Sequence, residues 1–425
     1  MPLLAEILSQ GEEVVTGQVI DTNAAWLSEQ LSSLGFIVQR HTTVGDRMDD
    51  LEQAFDATAR SADLVICTGG LGPTDDDLTA EAVSRASGQP LEFDPIAWED
   101  LKEKYVKYSH IMPQSNRKQV LFPAHSVRLD NDWGTAPGFA TLPEFHPEHR
   151  ALMIFLPGVP KEMRAMFATR VLPLLKEHFK LKVRPLVTLR TTGVGESTLQ
   201  EKIGMFSLPE ASLSYRTILP ENHVKIRFEP SVSPERIQEI STQVITKIGR
   251  PLFSVHGLPM PLPGIDCLGG GLAEVIGRRL LARGESLAVS ESCTGGQVSA
   301  NCTAIPGASA WFFEGVVTYT NRAKSRLLGV PEEILAANGA VSEPVARAMA
   351  EGVRQKAGTT WGLSTTGIAG PGGATPGKPV GTVHIAVSGP HHTHHRLLQL
   401  VGDRSRVQSL ATAAVLDLLR HTLNS

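Results

Sequence analysis

Several classes of protein are excluded by what this chain has little of. Its four cysteines, Cys67, Cys267, Cys293 and Cys302, form no CxxC pair, which argues against a zinc site or disulfide framework and for a reducing compartment. No apolar run approaches the roughly 20 residues that cross a bilayer. The segment from Met1 to Ser9 has no basic residue and too short an apolar run for a secretory leader. A formal net charge of only −4, with no basic stripe, gives nucleic acid or an anionic membrane nothing to bind electrostatically. Internal repeats and low-complexity tracts are missing. Hydrophobic residues nevertheless make up 41% of 425 residues, enough for several cores and too long a chain for one. The expectation is a cytoplasmic globular protein of two or three domains, with no nucleic-acid or membrane partner.

Three pattern regimes follow one another. Leu3–Leu8 reads as a strand, Asp21–Leu34 as a helix capped by Asp21 or Thr22 and stopped at Gly35, Phe36–Val38 as extended, Met48–Ala62 as a helix and Leu64–Thr68 as a buried strand. That β-α-β-α-β order predicts a parallel sheet with its ligand edge at the carboxyl ends of the strands. Between Arg184 and Pro251 the pattern is a small α+β unit: strand Leu186–Thr192, helix Ser197–Ile203, a hairpin of Ser212–Ile218 and Val224–Phe228, and helix Pro234–Ile248. The Pro/Gly-rich stretch from Pro259 to Gly264 reads as a linker. An α/β pattern then restarts, with helix Leu272–Arg283, strands Leu287–Val289 and Val316–Tyr319, and helix Val345–Lys356. Strand Leu363–Thr366 follows, then a hairpin of Thr382–Val387 and Arg396–Val401, and a closing helix Arg404–Leu423. The implied boundaries are 1–172, 173–256, 257–270 for the linker, and 271–425.

Two constellations carry chemistry. In the first, Gly69, Gly70 and Gly72 follow a buried strand and precede Thr74, Asp75, Asp76 and Asp77. Glycines admit close approach of an anion and a following helix N-terminus supplies donors. Carboxylates beside a phosphate make sense if a divalent cation such as magnesium sits between, on Asp76 or Asp77. A first turn that is acidic only to suit the helix dipole is the plainer alternative. Three further turns, Gly11–Gly17, Gly134-Thr135-Ala136-Pro137-Gly138 and Leu156-Pro157-Gly158, would share that edge.

The second is Ser290-Glu291-Ser292-Cys293-Thr294-Gly295-Gly296, between a short apolar strand and a helix-like run from Gln297 to Thr303. A hydroxyl on such a turn can be a nucleophile beside free backbone donors, although alone it is most simply an N-cap. No histidine has an obvious place as its base. His384 reads as structural, and His391, His392, His394 and His395 as solvated residues around a hairpin tip. Lys324 can serve if burial leaves it neutral, with Tyr319 orienting the proton. The Thr294–Gly296 turn and the Gly367–Gly373 loop would offer amides to an oxyanion, and Arg404 or Arg406 would hold a substrate phosphate.

Thr68–Thr79, Gly134–Phe139 and Leu156–Met163 together resemble the N-terminal molybdopterin-binding-like domain of the CinA (competence/damage-inducible protein A) family. Ser290–Gly296, Val317–Lys324, Gly339–Pro344, Thr366–Pro371 and Lys378–Val383 resemble its C-terminal nicotinamide-nucleotide deamidase domain. The resemblance implies an α/β fold throughout, with a parallel-sheet N-terminal domain, a small α+β middle domain and an α/β deamidase domain. It implies hydrolysis of nicotinamide mononucleotide (NMN) to nicotinic acid mononucleotide and ammonia, without a cofactor. Ser292 matches the family nucleophile and Lys324 the base; Tyr319, Thr366 and an arginine of the Gly402–Arg406 segment match the other active-site positions. Thr294, Gly295, Gly296, Gly367 and Gly370 would line that site. For the N-terminal domain it implies metal-dependent hydrolysis of ADP-ribose to AMP and ribose 5-phosphate, around Gly69, Gly70, Gly72, Thr74, Gly134, Thr135, Pro157 and Gly158. Three consecutive aspartates stand where the family pattern has two, so the metal ligand is any of them. A homo-oligomer is expected. Two other classes stay open: a nucleotide- or pterin-binding module that does not turn over, and an adaptor for competence or DNA repair.

Overall fold

In a computed structural model, which describes residues 3–107, 111–141 and 151–423, the first apolar run becomes strand β1 (Leu3–Gln10). Strands β2 (Phe36–Val44), β3 (Leu64–Thr68) and β8 (Leu152–Leu156) join it in parallel. β7 (Gly138–Thr141) and β6 (Val127–Leu129) extend the sheet antiparallel, in the order β2-β1-β3-β8-β7-β6. Two short strands, β4 (Leu91–Phe93) and β5 (Leu121–Pro123), pair beside it. All five residues of β3 and of β8 are buried, as a parallel sheet covered on both faces requires. Helix Thr22–Ser33 sends Leu27 and Leu31 into one core with Ile7 and Ile66. Helix Met48–Ser61 sends Leu51 and Phe55 into the other with Leu8, Val65 and Phe155. Asp21 caps the first helix, accepting from Ala24 N at 2.9 Å.

These elements belong to one compact unit, Met1–Arg184; Pro185–Ser425 forms a second. The second unit opens with an antiparallel sheet, β10-β11-β9-β12, of β9 (Leu186–Thr192), β10 (Ala211–Ile218), β11 (Glu221–Phe228) and β12 (Leu252–His256). Helices Glu196–Ile203 and Pro234–Ile248 contribute to its core, and Ser233 caps the latter. A mixed sheet follows, β14-β13-β15-β16-β17, of β13 (Leu287–Glu291), β14 (Phe312–Val317), β15 (Trp361–Gly367), β16 (Thr382–Ser388) and β17 (Thr393–Gln399). β13 lies between β14 and β15 and runs parallel to both. Helix Glu343–Ala357 packs Val345 and Met349 against one face, and helices Leu272–Arg283 and Arg404–Thr422 fill the other.

Two sequence expectations shift. The strand expected at Val316–Tyr319 begins at Phe312 and ends at Val317, which leaves Tyr319 outside the ladder. The second hairpin strand starts at Thr393, because Gly389 N bonds His392 O and closes the turn early. His394 and His395 are therefore strand residues, and the His395 ring stacks on His384 with ring nitrogens 2.9 Å apart. Among the described residues no helix is long and apolar enough to cross a membrane.

Candidate active site

The buried strand β13 delivers Ser292 to the carboxyl edge of the sheet. Ser292 N still donates to Thr365 O at 3.0 Å, so the ladder continues one residue past the strand and fixes the serine backbone. Gly295 and Gly296 then take φ of 63° and 103°, left-handed values that a side chain resists, and the chain reverses into helix Gln297–Thr303.

Glu291, fully buried, holds this turn together. Its carboxylate accepts from Thr294 Oγ1 (2.7 Å), Gly296 N (3.0 Å), Val298 N (3.1 Å), Ser299 N (2.8 Å) and Ser299 Oγ (2.7 Å). These bonds satisfy the orphan donors of the short helix from within. They also correct one expectation: the Gly296 amide and the Thr294 hydroxyl are spent on Glu291, and Gly295 N reaches Ser292 O at 3.3 Å, so neither glycine amide is free for an oxyanion. Sequence reasoning passed over Glu291; its one signal was a charged residue at the end of an otherwise apolar strand.

Lys324 arrives from β14. Thr318 N donates to Glu291 O at 2.7 Å, Thr320 caps the next helical turn, and Lys324 begins a segment of π spacing through Leu328. The lysine is only 1% exposed. Its ammonium nitrogen donates to Thr318 O at 2.8 Å and Ser292 Oγ at 3.0 Å. Among the described residues it has no carboxylate ion pair, and burial lowers its pKa to about 8. The neighbouring Cys293 thiol is pushed up to about 12 by burial and stays neutral.

At the rim, Arg404 bridges two other expected residues. It donates to Tyr319 Oη at 2.9 Å and to Gly370 O at 2.9 Å. Tyr319 is 60% exposed and not part of the core. Arg406 N bonds the helix cap Asp403, and the Arg406 side chain lies along Gly402. Successive residues of β15 face opposite ways: Thr365 Oγ1 lies 2.7 Å from Thr294 Oγ1, whereas Thr366 donates to Ala340 O at 2.8 Å. A Cβ on Gly367 would come within 2.7 Å of Thr382 O, so that glycine serves strand contact. The amides of Ala369 and Gly370 donate to no group among the described residues.

In the first unit the four glycine-bearing turns do converge. A cleft of about 520 Å³ is lined by Gly11, Gly69, Gly70, Gly72, Thr135, Pro157 and Gly158, together with the carboxylate residues Glu13, Asp46, Asp76, Asp77 and Glu162. Gly69 has φ +102°, and a Cβ there would stand 2.3 Å from Gln10 O. Gly134 sits behind the lining, where a Cβ would strike the Glu162 carboxylate. Thr74 is exposed and outside the cleft lining, and its amide and hydroxyl donate to Asp77 Oδ2 at 2.8 and 2.6 Å. Asp46 accepts from Gln10 Nε2 at 3.0 Å and Glu12 N at 3.0 Å. Hydrogen bonding within this turn, with the charge of Lys118, holds the Asp76 carboxyl below its ordinary value. An all-oxygen donor set suits a hard divalent ion, but the side chains do not converge: no group of three potential ligands among the described residues is placed to hold a metal.

Comparison with known proteins gives matches along the chain. Residues 6–177 match the family model described as a probable molybdopterin binding domain, and residues 270–423 the CinA C-terminal domain. A CinA-like protein of Anaeromyxobacter sp. (strain K) is 41% identical over 98% of this chain and 99% of its own. A CinA-like protein of Shewanella loihica is 36% identical over 98% of this chain and 95% of its own. The solved competence damage-inducible protein A (ComA) of Klebsiella pneumoniae is 35% identical, covering 36% of this chain and 95% of that one, with a TM-score of 0.35.

Proposed function

The chain belongs to the CinA family, and on the contact between Ser292 and Lys324 we propose that its C-terminal site hydrolyses a carboxamide through a seryl acyl-enzyme. The substrate would be NMN and the products nicotinic acid mononucleotide and ammonia. Neutral Lys324 takes the Ser292 proton as Oγ attacks the amide carbon, and the resulting ammonium protonates the departing nitrogen as ammonia leaves. Water then attacks the acyl carbon, gives a proton to Lys324, and the proton returns to Oγ as the acid departs. The unpartnered amides of Ala369 and Gly370 are the donors for the oxyanion, in place of the Gly296 amide. Arg404, tethered at the mouth, suits the phosphate. Supporting this reading is the 3.0 Å contact to an amine that titrates near 8. Purified protein incubated with NMN should release ammonia, and Ser292→Ala should not; full activity in that variant would end the proposal.

A second reading rests on the N-terminal cleft, where backbone turns and carboxylates meet. Its shape and size suit a nucleotide, and the proposed reaction is hydrolysis of ADP-ribose to AMP and ribose 5-phosphate. A divalent cation would neutralise the pyrophosphate, and the cleft carboxylates, Asp76 foremost, are the groups that would have to move to hold it. AMP formation should require added magnesium and be lost in Asp76→Ala. Retention in both Asp76→Ala and Asp77→Ala would misplace the ligands. Tight binding with no turnover over several metals would instead mark a nucleotide- or pterin-binding module.

A further inference from the structure

The second unit contains a cavity of about 400 Å³ that no part of the proposed amide chemistry uses. One wall is β9 and the start of β11, with Arg190, Thr192 and Glu221. Another is the first turn of helix Leu272–Arg283. The rest comes from helix Gln297–Thr303 and from Thr412, Ala413 and Leu416 in the closing helix.

Two polar deficits face this space. Helix Leu272–Arg283 begins at Gly271 with no side-chain cap, and its first amides, at Leu272, Ala273 and Glu274, find no acceptor among the described residues. Leu272 and Ala273 are buried, and a buried helix start without partners calls for a ligand or water. Independently, Thr412 is only 4% exposed and its hydroxyl has no partner, although a helical threonine can bond back to the preceding turn.

The charges limit what fits. Arg190 NH2 would lie 3.7 Å from a Cβ on Gly271, so the guanidinium stands beside the helix start. Glu221 pairs with Arg190 at 2.7 Å, and Glu274 shares Arg278 with Asp266 at 2.7 and 2.8 Å, so the side-chain charges are already engaged and the unpartnered helix-start amides are the donors left for an acceptor. That favours one negative charge over two. The opposite lining is apolar at Ala300, Ala304, Ile305 and Leu416, with Asn301 the polar residue among them. We propose that this cavity binds a small monocarboxylate with an apolar body, its carboxylate on the helix start beside Arg190 and Thr412.

The probe is benzoate, titrated calorimetrically into the full chain. Binding is expected, with benzyl alcohol and inorganic phosphate each at least tenfold weaker. Thr412→Val should weaken benzoate about tenfold while raising the melting temperature of the free protein, because it removes a buried hydroxyl without a partner. Arg190→Gln should weaken benzoate similarly. Ser292→Ala should leave benzoate affinity unchanged, which separates this cavity from the serine site. The proposal is overturned if benzoate gives no saturable heat, if benzyl alcohol or phosphate binds as well, if Thr412→Val binds like the parent, or if Ser292→Ala abolishes binding.

Discussion

Lys324 Nζ stands 3.0 Å from Ser292 Oγ at the edge of a sheet, and the same nitrogen is held by Thr318 O at 2.8 Å. The carbonyl fixes where the amine points, while burial decides whether it carries a proton. Positioning and pKa therefore come from different parts of the fold.

The rate of amide hydrolysis should rise with pH through an apparent pKa near 8, since only the neutral amine accepts a proton. Lys324→Met should remove both activity and that titration. Stability carries the same signature. Between about pH 8 and the ordinary lysine value the unfolded chain binds a proton that the folded one has lost, so stability increases with pH in that window. The stability of the parent relative to Lys324→Met should grow between pH 7 and 10 by an amount on the order of 3 kcal/mol. Denaturant titrations at both pH values measure it, and a flat difference would mean the amine is not desolvated.

Glu291→Gln keeps the volume but replaces one acceptor oxygen with a donor, facing amide and hydroxyl groups that themselves donate. A loss of about 3 kcal/mol in unfolding free energy is expected. Turnover should fall by more than about a hundredfold, because the serine turn loses its anchor. Near-parental turnover in a folded variant would show that the turn holds itself.

Arg404 and Arg406 should separate cleanly. Arg404→Ala removes the group tied to Tyr319 and Gly370 and should raise KM for NMN by about two orders of magnitude. Arg406→Ala should stay within about twofold. Tyr319→Phe should leave stability within about 0.5 kcal/mol, as expected of an exposed side chain, and change only KM and kcat.

At the other site, Gly70→Ala should destabilise the first unit by about 2–4 kcal/mol. Its φ is +65°, and a Cβ would fall 2.1 Å from Gln10 Oε1 and 2.4 Å from Thr79 Oγ1. Thermal melting of the full chain measures the loss; an unchanged transition would mean that the loop relaxes around the methyl.

Much of this was legible in one dimension. Helices Pro234–Ile248 and Leu272–Arg283 begin and end where capping residues and glycines place them. Buried strands such as Leu64–Thr68 announce themselves by composition. Edge elements were less clear. β14 is an edge strand with half-buried and exposed positions and none buried, so its start at Phe312 left little trace. The histidine-rich hairpin looked like a solvated loop because its tip is only four residues, Gly389 to His392, and the flanking histidines are polar.

Local sequence settled where chain reversals fall, which runs are buried on both faces, and that a hydroxyl would sit on a tight strand-to-helix turn, since each depends on neighbours within a few positions. Two matters were decided only by tertiary packing: that Glu291 consumes the donors of that turn, and that Lys324 is dry enough to lose its proton near pH 8. Those depend on dielectric and on partners distant along the chain, which no local pattern encodes.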